Sequence, residues 1–156
     1  DVVFVSEGDV SFYSTFTYLA QTLQQAHPEV TIDAIPGVCS PLAAAAALGL
    51  PLTLRQQRLV VLPALYKVAD LETTLAAADV VVLMKVSSVY RQVWTILQRH
   101  QLLERSYVVE WATHPNQVIH RELQTKPDLT LPYFSLLIVQ VSPEHLPAQI
   151  LDEFRS

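Results

Sequence analysis

The chain has 156 residues, of which 51% are hydrophobic, and a formal net charge of −5, so it is long enough to bury a substantial core. Its Lys and Arg residues form no cluster that could neutralise phosphates, which argues against a nucleic-acid partner. No apolar run approaches the roughly eighteen residues that a membrane helix needs, so we expect no membrane span.

The cysteine and histidine content limits the chemistry further. The single cysteine, Cys39, cannot form an internal disulfide, and no signal peptide is visible, so we expect a cytoplasmic protein. The five histidines show no spacing that would place two of them on one helix face beside a third ligand. We therefore expect no protein-bound metal.

The N-terminal segment, up to about residue 35, predicts a strand, a helix and a second strand. Its first part is an apolar, β-branched run that stops at Gly8-Asp9, and residues 30–35 alternate like a short strand. Between them the sequence predicts a helix that ends at His27-Pro28, because the residue before a proline is pushed out of the α region. Its apolar residues at helical spacing are Phe12, Phe16, Leu19 and Leu23.

Asp9 directly follows the first predicted strand. In open α/β sheets, ligands bind beyond the carboxyl ends of the strands, where a carboxylate can accept hydrogen bonds from a ligand. The alternative is that Asp9 only caps the following helix. This loop alone leaves both interpretations open.

A second helix is predicted to begin at Ser40, which can cap it, and Pro41 suits its first position. Gly49 can end this helix in a left-handed conformation. Its five consecutive alanines, residues 43–47, have two interpretations. They reflect helix propensity, or they let a backbone or a flat ligand approach closely.

The rest of the chain predicts alternating strands and helices. Strands are expected at residues 58–63, 80–85, 107–110 and 134–141. One helix is expected at residues 71–77, capped by Asp70, and another from Ser87 or Ser88 to about residue 98, with Val89, Val93, Ile96 and Leu97 on its inner face. A turn at 113–116, a short element at 118–123 and a short helix after Ser142 complete the prediction.

Two of these stretches together resemble the tetrapyrrole methylase family. The loop at Gly8-Asp9 and the turn Pro36-Gly37-Val38-Cys39-Ser40, followed by the alanines, match its Gly-Asp-Pro loop and Pro-Gly-Val-Ser-Ser turn in order and spacing. Residues 80–85, 107–117 and 133–139 fit the same family. The motifs Leu83-Met84-Lys85 and Tyr133-Phe134-Ser135 are most similar to its precorrin-2 C20-methyltransferase branch.

Two departures from the family pattern stand out. Val10 replaces the proline after Asp9, and the N-terminal Gly-rich loop of the family is absent. The resemblance therefore predicts an α/β protein made of a mixed-sheet C-terminal domain, residues 37–156, and the last βαβ unit of an N-terminal domain, residues 1–36. We expect a truncated C-terminal portion that is inactive by itself.

The resemblance implies methyl transfer from S-adenosylmethionine, with S-adenosylhomocysteine as product, to the C20 meso carbon of precorrin-2 or cobalt-precorrin-2 in cobalamin biosynthesis. Such a displacement depends on alignment and exclusion of water more than on strong acids or bases, and no catalytic base is identified. A methylase of another tetrapyrrole carbon, a diphthine-synthase-like methylase and a non-catalytic fragment or dimerisation module are the alternatives. The family pattern and the hydrophobic composition also imply a homodimer.

The resemblance assigns cofactor contacts to ten residues. Glu7, Gly8 and Asp9 would meet the methionine end or the ribose, Phe12 would pack beside it, and Cys39 and Ser40 would hold its carboxylate or ribose. Met84 and Ala112 would enclose the adenosine, and the backbone at Phe134 and Ser135 would bind the adenine edge. Without the resemblance, Met84 would be a core gap-filler and Cys39 a small buried hydrophobe.

The substrate implied by the resemblance is a large, flat tetrapyrrole that carries several carboxylates. Basic side chains should therefore line its site and pair with those carboxylates. Lys85 is the first candidate and Arg91 the second. An ordinary lysine at the end of a strand is the alternative for Lys85.

Overall fold

The computed structural model describes residues 2–65 and 67–142, apart from the side chain of Val68. The chain forms two compact units, one of residues up to Ser40 and one of residues from Pro41 onwards. The predicted domain division after residue 36 stays a prediction. The helix predicted after Ser142 lies outside the described residues.

The N-terminal unit contains one helix, α1, at Phe16–Ala26. The prediction placed its first apolar residue at Phe12, but the Phe12 amide closes a turn with the Asp9 carbonyl at 3.2 Å, and Tyr13 is left-handed at φ 53°. The helix therefore starts later, where the Phe16 amide donates to the Ser14 hydroxyl at 3.2 Å. None of the α1 residues is buried.

The two strands predicted on either side of α1 are not formed. Residues 2–8 and 30–37 share no backbone hydrogen bonds in the described structure, and they belong to no sheet. Val2, Val3 and Val5 are at least 84% exposed. A β-branched run becomes a strand only when a neighbour satisfies its N–H and C=O groups, and these segments have none, so the predicted βαβ arrangement was wrong in this detail.

The C-terminal unit contains a mixed five-stranded sheet, as the predicted fold class requires. Along the sheet the order is β1-β2-β5-β3-β4. Strands β1 and β2 are parallel, whereas β5 is antiparallel to both β2 and β3, and β4 is antiparallel to β3. The strands are β1 Leu59–Leu62, β2 Val80–Met84, β3 Ser106–Glu110, β4 Val118–His120 and β5 Ser135–Gln140.

Three helices accompany this sheet: α2 Ser40–Leu48, α3 Val68–Ala77 and α4 Tyr90–Arg99. Gly49 ends α2 at φ 64°, as predicted. The predicted cap of α3 was wrong, because that helix starts earlier and Asp70 lies in its first turn. The serine caps predicted for α4 were also wrong, because a 3₁₀ turn, Val86–Ser88, intervenes.

Both faces of the sheet are covered by apolar side chains, which explains why β2 is apolar at every position. On one face Val81 and Leu83 join a cluster with residues of α3 and α4, including the predicted inner residues Val93, Ile96 and Leu97 of α4. On the other face Val80 and Val82 join a cluster with α2. In α2, Ala44 and Ala45 are buried in that cluster, so these two alanines face the sheet, whereas Ala46 is exposed.

Within the described parts of the chain, no helix combines the length and the hydropathy required to cross a membrane.

Candidate functional site

In the N-terminal unit, the Gly8-Asp9 loop touches the turn that begins at Gly37. The Gly37 amide donates a hydrogen bond to Asp9 Oδ2 at 2.8 Å. A Cβ atom at residue 37 would overlap the Gly8 carbonyl oxygen and lie 3.3 Å from the Asp9 Cα. A glycine is therefore required at residue 37, and the two loops singled out by the sequence are adjacent.

The Asp9 carboxylate is held by its own chain. Its Oδ1 atom accepts hydrogen bonds from the Ser11 amide at 2.8 Å and from the Ser11 hydroxyl. The Ser11 hydroxyl, followed by the Gly37 amide and the Ser11 amide, lowers the pKa of Asp9 below its ordinary value. Because Thr15, not Asp9, occupies the N-cap position of α1, the helix-capping alternative is wrong.

The other predicted residues of this unit lie in the same two loops. Glu7 is exposed, and Phe12, Cys39 and Ser40 are partly buried. The Phe12 ring packs edge-on against Tyr13, with ring centroids 4.7 Å apart.

In the C-terminal unit, the predicted residues meet at one edge of the sheet. Strands β1, β2 and β3 run in the same direction and end there, while β5 begins there. The register pairs Met84 with Leu136 and Glu110 with Ser135. Beyond β3, the Trp111 amide donates to the Phe134 carbonyl at 2.8 Å. This edge thus brings together Met84, Ala112, Phe134 and Ser135.

These four residues differ in how accessible they are. Met84 and Ala112 are partly buried, and Phe134 is 48% exposed. The Ser135 side chain is buried, and its hydroxyl donates to the Pro132 carbonyl at 2.7 Å. That hydroxyl stabilises the turn into β5.

The two predicted basic residues have different surroundings. Lys85 is exposed and left-handed at φ 53°, and its Nζ atom lies 5.6 Å from the centre of the Tyr133 ring. Arg91 lies on α4, donates to Asp128 at 2.8 Å and lies 5.6 Å from the Trp94 ring. The charge of Arg91 is therefore already paired.

The sequence alone did not reveal a row of aromatic rings along this edge. The Tyr133 and Phe134 centroids are 5.3 Å apart, and those of Phe134 and Trp111 are 4.7 Å apart. Trp111 also lies 5.5 Å from the His114 ring. The sequence could have indicated part of this row, because residues 133 and 134 are adjacent aromatic residues. The contact with Trp111, however, depends on the pairing of β3 with β5.

A partly buried hydrogen bond between a histidine and a glutamate beside this edge was also missed. His120 Nε2 lies 2.6 Å from Glu110 Oε1, and the two side chains are only 17% and 14% exposed. The two residues lie on adjacent strands, β3 and β4. Among the described residues, no group of three or more His, Cys, Asp or Glu side chains could hold a metal ion.

The architecture and this edge define an α/β protein with aromatic and basic groups at the carboxyl ends of its strands, where α/β proteins bind ligands. A family model described as Tetrapyrrole (Corrin/Porphyrin) Methylases matches residues 1–126. The chain belongs to the tetrapyrrole methylase family, as the sequence motifs predicted.

Two relatives and one solved structure show the extent of the similarity. The chain is 32% identical over 145 residues to the cobalt-precorrin-2 C(20)-methyltransferase of Salmonella typhimurium, covering 92% of this chain and 60% of that protein. It is 32% identical over 138 residues to the precorrin-2 C(20)-methyltransferase of Sinorhizobium sp., covering 88% of this chain and 55% of that protein. The chain thus spans little more than half the length of these relatives.

The solved structure is a uroporphyrin-III C-methyl transferase from Thermus thermophilus complexed with S-adenyl homocysteine. Its TM-score is 0.58 at 24% identity, over 85% of this chain and 62% of that one. This similarity confirms the predicted fold.

Proposed function

We propose that this chain serves S-adenosylmethionine-dependent methyl transfer to the C20 carbon of precorrin-2 or cobalt-precorrin-2 in cobalamin biosynthesis. The observation that supports the proposal most is the 32% identity to the Salmonella C(20)-methyltransferase over 92% of this chain. The Sinorhizobium relative is named for the metal-free substrate, so both substrate forms belong to the proposal.

In the N-terminal unit, the two touching loops are the proposed contacts for the cofactor. Their backbone amides and carbonyls, together with the Ser40 hydroxyl, can hydrogen-bond to a polar amino acid end or a ribose. The residues in this proposal are Glu7, Gly8, Asp9, Phe12, Cys39 and Ser40.

In the C-terminal unit, the sheet edge is proposed to contact the adenosine part of the cofactor. Met84 and Ala112 supply apolar surface, and the backbone beside Phe134 and Ser135 supplies hydrogen-bonding groups. A bound S-adenosylmethionine would supply an electrophilic methyl group. Transfer of that methyl group requires orientation and a water-poor site more than an acid or a base. Backbone and apolar groups meet that requirement.

Lys85 is the proposed partner for a substrate carboxylate, and Arg91 is a second. In the described part of the chain Lys85 pairs with no acidic side chain, and it lies beside the Tyr133 ring. A free cation next to a 58% exposed aromatic ring suits a flat, conjugated and multiply carboxylated molecule. Because Arg91 is paired with Asp128, Lys85 is the stronger candidate.

We also propose a homodimer in the cytoplasm. The exposed apolar side chains of the N-terminal unit, among them Val2, Val3 and Ile35, support association with a second copy. Sedimentation that shows only monomer at micromolar concentrations would contradict the dimer.

The test of the function is a methyl-transfer assay with ¹³C-methyl S-adenosylmethionine and either precorrin-2 or cobalt-precorrin-2. If the chain transfers the methyl group, we expect one added methyl mass and a ¹³C signal at C20, with Lys85→Gln raising KM for the substrate more than it lowers kcat. Such turnover would contradict the expectation that the chain is inactive by itself. Lys67→Gln, another exposed lysine, is the matched control. A methyl group at another carbon would identify a different methylase, and absence of both transfer and cofactor binding would contradict the proposal.

A further inference from the structure

The side chain of Asp9 joins two loops that are 28 residues apart in the sequence. Asp9 Oδ1 accepts both hydrogen bonds from Ser11, and Asp9 Oδ2 accepts the bond from the Gly37 amide. A carboxylate offers about four acceptor positions. Three of them are therefore used within the chain, by donors on both loops.

The backbones of the two loops are also in direct contact. Residue 37 has no room for a side chain, because a Cβ atom there would overlap the Gly8 carbonyl oxygen. A Cβ atom at Gly8 would lie 3.6 Å from the Val38 carbonyl oxygen and 3.9 Å from the Cys39 Cα. Gly8 therefore lies close to the backbone of the turn that leads to Cys39 and Ser40.

We propose that Asp9 is a positioning residue, which holds the Gly37–Ser40 turn against the Glu7-Gly8 loop so that both present their groups to the cofactor in one arrangement. This inference rests on the proposed function and changes the role of Asp9 within it, from a direct cofactor contact to a residue that acts through Gly37. The lowered pKa of Asp9 agrees with a carboxylate that stays ionised and hydrogen-bonded at neutral pH.

Glycine-selective ¹⁵N labelling tests the link directly, because the chain has only three glycines. We expect Asp9→Asn to move the Gly37 amide signal upfield, since a neutral amide oxygen accepts a weaker hydrogen bond than a carboxylate. The Gly49 signal should stay in place. Asp33→Asn, an exposed acid of the same unit, is the matched control and should move none of the three signals.

Calorimetric titration with S-adenosylhomocysteine then tests the consequence for the cofactor. We expect Asp9→Asn to weaken binding roughly tenfold or more, as for a lost hydrogen bond to a charged group, and Asp33→Asn to leave it unchanged. Ser11→Ala, which removes one donor to Asp9, should weaken binding by a smaller factor. It provides a second variant if Asp9→Asn does not fold.

The response of wild-type Gly37 to the ligand separates positioning from direct contact. If Asp9 positions the turn, its hydrogen bond to Gly37 persists when the ligand binds. The Gly37 amide signal of the wild-type chain, saturated with S-adenosylhomocysteine, should then differ from the Gly37 signal of Asp9→Asn. If the ligand moves the wild-type signal to the position seen in Asp9→Asn, Asp9 has left Gly37 for the ligand and the inference is wrong.

The remaining outcomes distinguish this inference from the proposed function. Suppose that the wild-type chain binds S-adenosylhomocysteine but that Asp9→Asn leaves the Gly37 signal unchanged. This outcome would contradict the inference and remain consistent with the proposed function. A responsive Gly37 signal without any binding would contradict both the function and the cofactor-positioning role, and would leave Asp9 as a structural link.

Discussion

Residues 2–5 and residues 80–83 are both apolar runs rich in valine, yet only the second forms a strand. Val80, Val81 and Val82 are fully buried between β1 and β5, whereas Val2 is 98% exposed. The difference lies in their neighbours, because a strand depends on hydrogen-bonding partners and covered faces. The C-terminal unit is thus organised by an apolar core, and the described N-terminal unit by a few specific loop contacts.

The largest effect that this comparison predicts is the loss of stability when a core side chain is truncated. Leu137, fully buried in β5, touches the cluster under α3 and α4, so Leu137→Ala should lower the free energy of unfolding by about 2–5 kcal/mol. Leu19→Ala, on α1 where the side chain is 44% exposed, should lower it by less than about 1 kcal/mol. Urea denaturation measures both, and similar losses would show that the two units depend equally on burial.

A smaller effect is expected from the Glu110–His120 pair, which joins β3 to β4 at the side of the aromatic row. Because both side chains are mostly buried, the hydrogen bond should contribute about 1 kcal/mol. A double-mutant cycle with Glu110→Gln and His120→Asn measures that coupling by denaturation. The same cycle on the exposed His27–Glu29 pair of the N-terminal unit should give nearly none. Equal coupling in both cycles would remove this contrast between the units.

The smallest effect is a dependence of stability on pH through Asp79. The Arg58 amide and the Ser142 hydroxyl, in that order, lower the pKa of Asp79, so the folded state binds its proton more weakly than the unfolded state, where the pKa is about 3.9. The stabilisation is therefore complete above about pH 5 and is lost as pH falls through the folded pKa. Denaturation of wild type and Asp79→Asn from pH 7 to pH 3 should show a stability difference that shrinks only in the acidic range. A difference that grows on acidification would contradict this assignment.

Sequence reasoning succeeded wherever a local pattern was sufficient. The four strands expected at residues 58–63, 80–85, 107–110 and 134–141 formed within one residue of their predicted ends, because each contains a short apolar run that is local in the sequence. The motifs around Gly8, Gly37 and Met84 also identified the family. The helix caps at Asp70 and at Ser87 or Ser88 failed, since the capping position depends on where the preceding backbone turns.

The sequence by itself determined the class of the fold, the family and the segments that contain the candidate site, because hydrophobic period and turn residues are local properties. Only the tertiary structure decided what those segments touch. The register of β5 between β2 and β3 brought Trp111 to Phe134, and the contact of Gly37 with Gly8 gave Asp9 its hydrogen-bond partner. Such contacts join residues far apart in the chain, and they depend on pairing and packing that no local pattern specifies.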